Sequence, residues 1–211
     1  MTPPPNSTTP GEDDVRSLVK RIVEGVIGPE RSETPRNDGQ VTVTTESVNG
    51  SGPGGGIAIG ADHGGYPLKE RIGFRLREEG WVVTDCGTDS QDAVDYPDFA
   101  HAVARKVADG ECRWGIIIDG AGIGSAMVAN KVPGIRAAMC YDISSARNSR
   151  EHNHANILTL GAGLIGDGLA WQIVDAWLST EWSGGRHARR VTKIDAIDQQ
   201  YSGSTKTDQD G

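Results

Sequence analysis

Residues 56–200 predict an α/β sandwich, a five-stranded parallel sheet covered by helices on both faces. Two observations carry this. Short apolar runs alternate with amphipathic stretches along the whole segment, the pattern of strands joined by crossover helices. The runs are also continuously apolar, as strands buried on both faces are.

Taken in order, strands are expected at "IAIGA" (57–61), "WVVTD" (81–85), "WGIIID" (114–119), "IRAAMC" (135–140) and "NILTLG" (156–161). Between them "YPLKERIGFRLREEG" and "DFAHAVARKVADG" carry helical periodicity. Short strands and compact connections fit a Rossmann-like or flavodoxin-like three-layer sandwich, in which ligands bind beyond the carboxyl ends of the strands.

The flanks differ in composition. Residues 1–12 are rich in Pro, Ser and Thr and are expected to be a disordered tail. In "DDVRSLVKRIVEGVIG" (13–28), Val15, Leu18, Val19, Ile22, Val23, Val26 and Ile27 recur at i, i+3, i+4, i+7, one face of a helix. Asp13 and Asp14 suit its positive end, and Gly28-Pro29 stops it. Residues 29–55, ending in "NGSGPGG", read as a flexible linker with a short strand at "QVTVTT", and 201–211 as a loose tail.

The net charge of −8 over 211 residues argues against a nucleic-acid or anionic-membrane surface. No apolar run approaches the ~18 residues of a membrane span, and no secretory signal opens the chain. A cytoplasmic protein is expected. Three scattered cysteines, Cys86, Cys112 and Cys140, lack metal-ligand spacing and read as small buried residues.

Five motifs carry candidate chemistry. "GADHGG" offers Asp62 and His63 after the first strand, and "DYPDFA" offers Tyr96 before a helix. "DGAGIGS" places Asp119 at the start of a turn with Gly120, Gly122 and Gly124. "SREHNHAN" offers His152 and Asn153, and "GGRHARRV" offers Arg186, His187 and Arg190. Each has an ordinary reading beside the functional one. Asp62 can cap a helix, His152 can be a surface histidine, and two arginines four apart usually pair with carboxylates. The glycines of "GAGIGS" do not fit the dinucleotide spacing. These groups are expected together on loops of one sheet edge.

With these motifs in this order over about residues 56–200, the chain resembles the type B ribose-5-phosphate isomerases and the related galactose-6-phosphate isomerase subunits. The resemblance implies a homodimer or dimer of dimers, with active sites built from both subunits and no metal or organic cofactor. It implies that Asp62, Tyr96 and Asn153 line the sugar site and that His63, Arg186 and Arg190 bind the phosphate. His152 helps open the sugar ring, and the amides of Gly120 to Gly124 stabilise an enediolate oxygen. Aldose–ketose isomerisation needs such a set: a base, donors for the oxyanion and an anchor for the phosphate.

At one place the chain departs from the family. Many members have a cysteine base where Asp119 stands and a hydroxyl residue two positions later, where this chain has Ala121. Another branch has a glutamate base aligned with Ser125. Both bases are absent, and Asp119 is the ionisable group left in the loop, so it is the expected base. The alternatives are different chemistry on another phosphorylated sugar or sugar acid, or a non-catalytic binding or assembly role. For residues 13–28 two readings stand open. One is docking on the chain's own domain or its dimer partner. The other is a targeting peptide for shell proteins, since a short apolar-striped helix on a Pro/Gly linker resembles the encapsulation peptides of bacterial microcompartments.

Overall fold

The computed structural model describes residues 55–202. The expectations for 1–12, the helix at 13–28, the linker with "QVTVTT" up to residue 54, and 203–211 lie outside the described residues.

Five parallel strands form one sheet: β1 (Ile57–Ala61), β2 (Val83–Asp85), β3 (Trp114–Asp119), β4 (Ala137–Met139) and β5 (Ile157–Gly161). Their spatial order is β2-β1-β3-β5-β4. The helices are α1 (Tyr66–Glu78), α2 (Tyr96–Ala108), α3 (Ile123–Ala129), α4 (Ile143–Glu151), α5 (Asp167–Ser179) and α6 (Ala188–Ser202), the last preceded by a 3₁₀ turn at Gly185–His187. The expected three-layer architecture is therefore the observed one. β2 and β4 are shorter than the apolar runs that contain them, because edge strands pair on one side only. α6 continues through Ser202, past the boundary expected at 200.

Strand alternation explains the continuous apolar runs. Ile116 and Ile118 face a layer made by Leu68, Ile72 and Leu76 of α1, Ala146 of α4, and Ile173, Val174 and Trp177 of α5. Ile117 faces the other layer, with Ala100, Val103 and Ala104 of α2 and Ala129 of α3. Helical spacing of i, i+4, i+8 on α1 and i, i+3, i+4 on α2 selects those faces. Each buried isoleucine contributes about 1.5–3 kcal/mol. Pro67 sits in the first turn of α1 and Pro97 in that of α2, where a missing N–H costs nothing.

The connections from β1 run outward to β2 on one side and, through β3, to β5 on the other, which makes the gap between β1 and β3 the switch point. A ligand crevice belongs at the carboxyl ends of those two strands. Asp62 follows β1 and Asp119 ends β3.

Candidate active site

At the carboxyl edge of the sheet, Asp119 holds the glycine turn together. Its carboxylate is buried. Oδ1 accepts from the Ala121 N–H at 2.8 Å and from the Gly122 N–H. Oδ2 accepts from the Ser125 N–H at 3.0 Å and from the Ser125 hydroxyl. A carboxylate has about four lone-pair sites, and all four are engaged. Gly122 takes φ 77°, a left-handed conformation open to glycine, which lets the chain turn back into α3. The turn's carbonyls are tied down as well: Thr159 Oγ1 donates to Gly122 O at 2.8 Å and Tyr141 Oη to Ala121 O at 2.7 Å. Thr159 and Tyr141 were not among the expected site residues. Neither stands in a motif, and the pairing of β3 with β5 is what brings Thr159 there.

One expectation for the turn changes. The Gly122 amide is held by Asp119, so it is not among the donors available to a ligand. The Ile123 and Gly124 N–H groups open α3 and have no intrahelical acceptor.

Around the turn, the other carboxyl-edge residues are close. A Cβ on Gly124 would lie 2.5 Å from the Tyr96 ring, so Tyr96 lies directly over the glycine turn. Asp62 Oδ1 accepts from the Gly65 N–H at 2.8 Å, which fixes the entry to α1 and leaves the other oxygen unengaged. His63 is exposed, with Nδ1 3.2 Å from Val94 O and 3.3 Å from Val94 N. These residues share one edge.

His152, Asn153, Arg186 and Arg190 do not join them, which corrects the expectation of a single edge. α4 leaves β4 at the carboxyl edge and runs back, so His152, its C-cap, stands at the amino edge. The neighbouring chain confirms the position: Asn156 O accepts from Gly115 N at the start of β3, and Asn156 Oδ1 from Arg136 N just before β4. Arg186 and His187 are at the same amino edge, because the His187 ring stacks flat on His152 at 4.2 Å. Arg190 follows in the first turn of α6. The six residues of β3 separate the two edges by roughly 17–20 Å.

The amino-edge group has its own order. Asn148 Nδ2 lies 2.8 Å from His152 Nδ1, one helical turn away. Arg186 Nε donates to His187 Nε2 at 3.3 Å. Burial, then His152, Arg186 and Arg190, hold the His187 pKa below the usual histidine range. Both arginines are exposed, and neither forms an ion pair with a carboxylate among the described residues, so carboxylate pairing does not account for their spacing.

The cysteines are free thiols, Cys112 and Cys140 buried and Cys86 half-buried. Burial first, then Cys112 and Asp85, push the Cys86 thiol up to about 11, so it does not furnish a thiolate. Among the described residues no cluster of His, Cys, Asp and Glu is arranged to hold a metal ion. No described helix is long and apolar enough to cross a membrane.

Comparison with known proteins agrees with this fold. The family model for Ribose/Galactose Isomerase matches residues 57–194. "Ribose-5-phosphate isomerase B" of Escherichia coli is 48% identical over 144 residues, 68% of this chain and 97% of the relative. "D-erythrulose-4-phosphate isomerase" of Pectobacterium atrosepticum is 44% identical over 145 residues, 68% of this chain and 95% of the relative. The structure of ribose-5-phosphate isomerase B from Clostridium thermocellum superposes with a TM-score of 0.68 at 54% identity, covering 69% of this chain and 98% of that one. That of Mycoplasma genitalium, with bound ribulose 5-phosphate, superposes with a TM-score of 0.67 at 39% identity, covering 69% and 97%. The chain belongs to the ribose/galactose isomerase family.

Proposed function

We propose that this member of the family interconverts a phosphorylated aldose and ketose through an enediolate, at a site completed by a second copy of the chain. Ribose 5-phosphate and ribulose 5-phosphate are the pair the resemblance implies. The relative named for D-erythrulose 4-phosphate makes the four-carbon pair a second candidate.

The observation that carries the reading is the division of one reaction's groups between two sheet edges. The proton-transfer loop, Asp62, His63 and Tyr96 stand at the carboxyl edge, and His152, Asn153, Arg186 and Arg190 at the amino edge. A twofold-related pair of chains can bring the amino edge of each to the carboxyl edge of the other, giving two equal sites. Ile194, Ile197 and Tyr201 support this, as an exposed apolar stripe on α6 beside the amino-edge group. α6 itself is anchored there by Arg136–Asp195 at 3.0 Å and by Gly134 N–Asp198 at 2.6 Å.

In this scheme Arg186, Arg190 and His63 hold the phosphate and orient a reacting part too small to be positioned by itself. His152 assists ring opening, with Asp62 and Asn153 on the sugar hydroxyls. Asp119 takes the proton from the carbon beside the carbonyl and returns it to the neighbouring carbon. The N–H groups at the start of α3 face the developing oxyanion. To accept a proton, Asp119 must release one of its four donors. The Ser125 hydroxyl is the one that can turn away by side-chain rotation alone.

A second reading rests on the same four bonds: Asp119 clamps the loop and another group transfers the proton. Incubating phosphorylated tetroses and pentoses with the protein in deuterated water, followed by NMR, tests the function. Turnover with deuterium at the reacting carbon supports isomerisation, and binding without exchange favours a non-catalytic role. Asp119→Asn then separates the two readings of Asp119. Loss of turnover with unchanged substrate binding and thermal stability fits a base, and loss of all three together fits a clamp.

A further inference from the structure

We infer that Asn148 and His187 are positioning residues that hold His152 with its proton on Nε2, making it a hydrogen-bond donor toward the ring oxygen of a cyclic sugar phosphate. The inference rests on the isomerase reading for its substrate and on geometry for its tautomer.

Three contacts define the state of the ring. The amide nitrogen of Asn148 lies 2.8 Å from His152 Nδ1. An amide NH₂ only donates, so Nδ1 must accept, and in a neutral imidazole the proton then resides on Nε2. The nearest carboxylate agrees, since Glu151 Oε1 lies 3.8 Å from Nε2, on the side where an N–H is electrostatically favoured. The third contact fixes the plane. His187 stacks parallel to His152 at 4.2 Å with an interplanar angle of 0°, and its own Nε2 accepts from Arg186 Nε at 3.3 Å. An accepting Nε2 makes His187 neutral, so it can lie face to face with His152 without placing two cations together. Facing His152 are therefore Asn148 and Glu151 from α4 and His187 from the 3₁₀ turn, with Arg186 and Arg190 beyond them. Asn148 is exposed on α4, so it can be changed without disturbing the core.

The chemistry gives this arrangement a selective use. A pentose 5-phosphate closes a five-membered ring through O4. Opening it breaks C1–O4, forms the C1 carbonyl and carries the O1 proton to O4 through water. An Nε2–H bonded to O4 stabilises the charge that builds there, and the imidazole keeps its own proton. A tetrose 4-phosphate has its O4 esterified and cannot close the same ring. A hydrogen-bond donor that serves ring opening matters for the first substrate and not for the second.

The test uses the nitrogen-15-labelled full-length chain and both sugar phosphates. Long-range proton–nitrogen NMR of the resting protein should show His152 Nε2 as the protonated, pyrrole-type nitrogen and Nδ1 as the pyridine-type one. His152→Asn identifies the signals. Asn148→Leu should mix the tautomers and lower kcat/KM for ribose 5-phosphate about 5- to 10-fold, the size of one lost hydrogen bond, while leaving erythrose 4-phosphate unchanged. Asn148→Asp accepts from Nδ1–H, so it should reverse the tautomer and cost ribose 5-phosphate more than the leucine variant does. His187→Phe keeps a flat partner and should retain the wild-type signature. A resting His152 protonated on Nδ1, or equal losses on both substrates, would overturn the inference. Absence of turnover on either sugar with the Nε2–H signature intact would overturn the isomerase reading and leave the tautomer assignment standing.

Discussion

The two edges of the sheet are built on opposite principles. At the carboxyl edge the glycine turn is tied down from inside the chain: Asp119 engages three amides and a hydroxyl, and Thr159 and Tyr141 engage two carbonyls. At the amino edge Arg186 and Arg190 present exposed charge with no carboxylate to meet it among the described residues. A self-satisfied edge is preorganised and needs nothing further to keep its shape. An edge with uncommitted charge is a place for an anion. The comparison teaches that one fold can build a closed, self-bonded edge and an open, charged one separately, and the proposed function has the two meet between chains.

The largest expected effect tests the carboxyl edge alone. Asp119→Asn should lower turnover about 10²- to 10⁴-fold in steady-state assays, as removal of a general base does. The next measurement tests the division itself. Asp119→Asn and His152→Ala chains, each inactive, are unfolded, mixed in equal amounts and refolded. Half of the resulting pairs are mixed and each restores one of two sites, so about a quarter of wild-type activity should return. No recovery would mean that each site belongs to one chain. Arg190→Ala should weaken phosphorylated ligands about 10- to 100-fold by calorimetry, within the range of a charged hydrogen bond, and leave unphosphorylated sugars alone. Equal losses for both would remove the phosphate from the amino edge.

A smaller effect sharpens the comparison through pH. Burial, then Arg136 and Arg150, hold the His154 pKa at about 4, and His187 is lowered as well. A histidine depressed in the folded state contributes stability that is full above the unfolded value of 6.5 and is lost as pH falls toward 4. The melting temperature should therefore drop on acidification through that window. His154→Asn should flatten the drop by about 2–4 °C in scanning calorimetry. Asparagine suits the site because His154 has φ 52°, a left-handed conformation that asparagine tolerates. The smallest expected effect is none: a chain begun at Gly55 should keep its turnover, because the family match starts at residue 57. The first 30 residues fused to a fluorescent protein then test targeting, since diffuse fluorescence beside shell proteins would count against it.

Much of this was readable before any coordinates. Continuous apolar runs announced β1, β3 and β5, because burial on both faces leaves no polar alternation to find, and the half-buried edge strands β2 and β4 showed as shorter apolar pieces. Asp62, Tyr96 and the glycine turn were legible because each directly follows a strand or opens a helix at the carboxyl edge. The placement of His152 was not. "SREHNHAN" directly precedes a strand, and in an all-parallel sheet the start of every strand is the amino edge, a consequence that the expectation of one shared edge did not follow through. Thr159, Tyr141 and Asn148 were missed for a related reason. Their partners are fixed by strand pairing and helix phase, and neither is visible as a motif.

The distance between the edges has a kinetic consequence. On the split-site reading, a newly made chain folds with its proton-transfer loop complete and is chemically silent until it meets another. Specific activity would then depend on how much protein is present. Dilution below the dimer's dissociation constant would make turnover per chain fall in proportion to concentration, with no residue altered and no fold lost. Assays at nanomolar enzyme would under-report a protein that works at full rate when concentrated, and confinement in a small volume would by itself raise the fraction of chains at work.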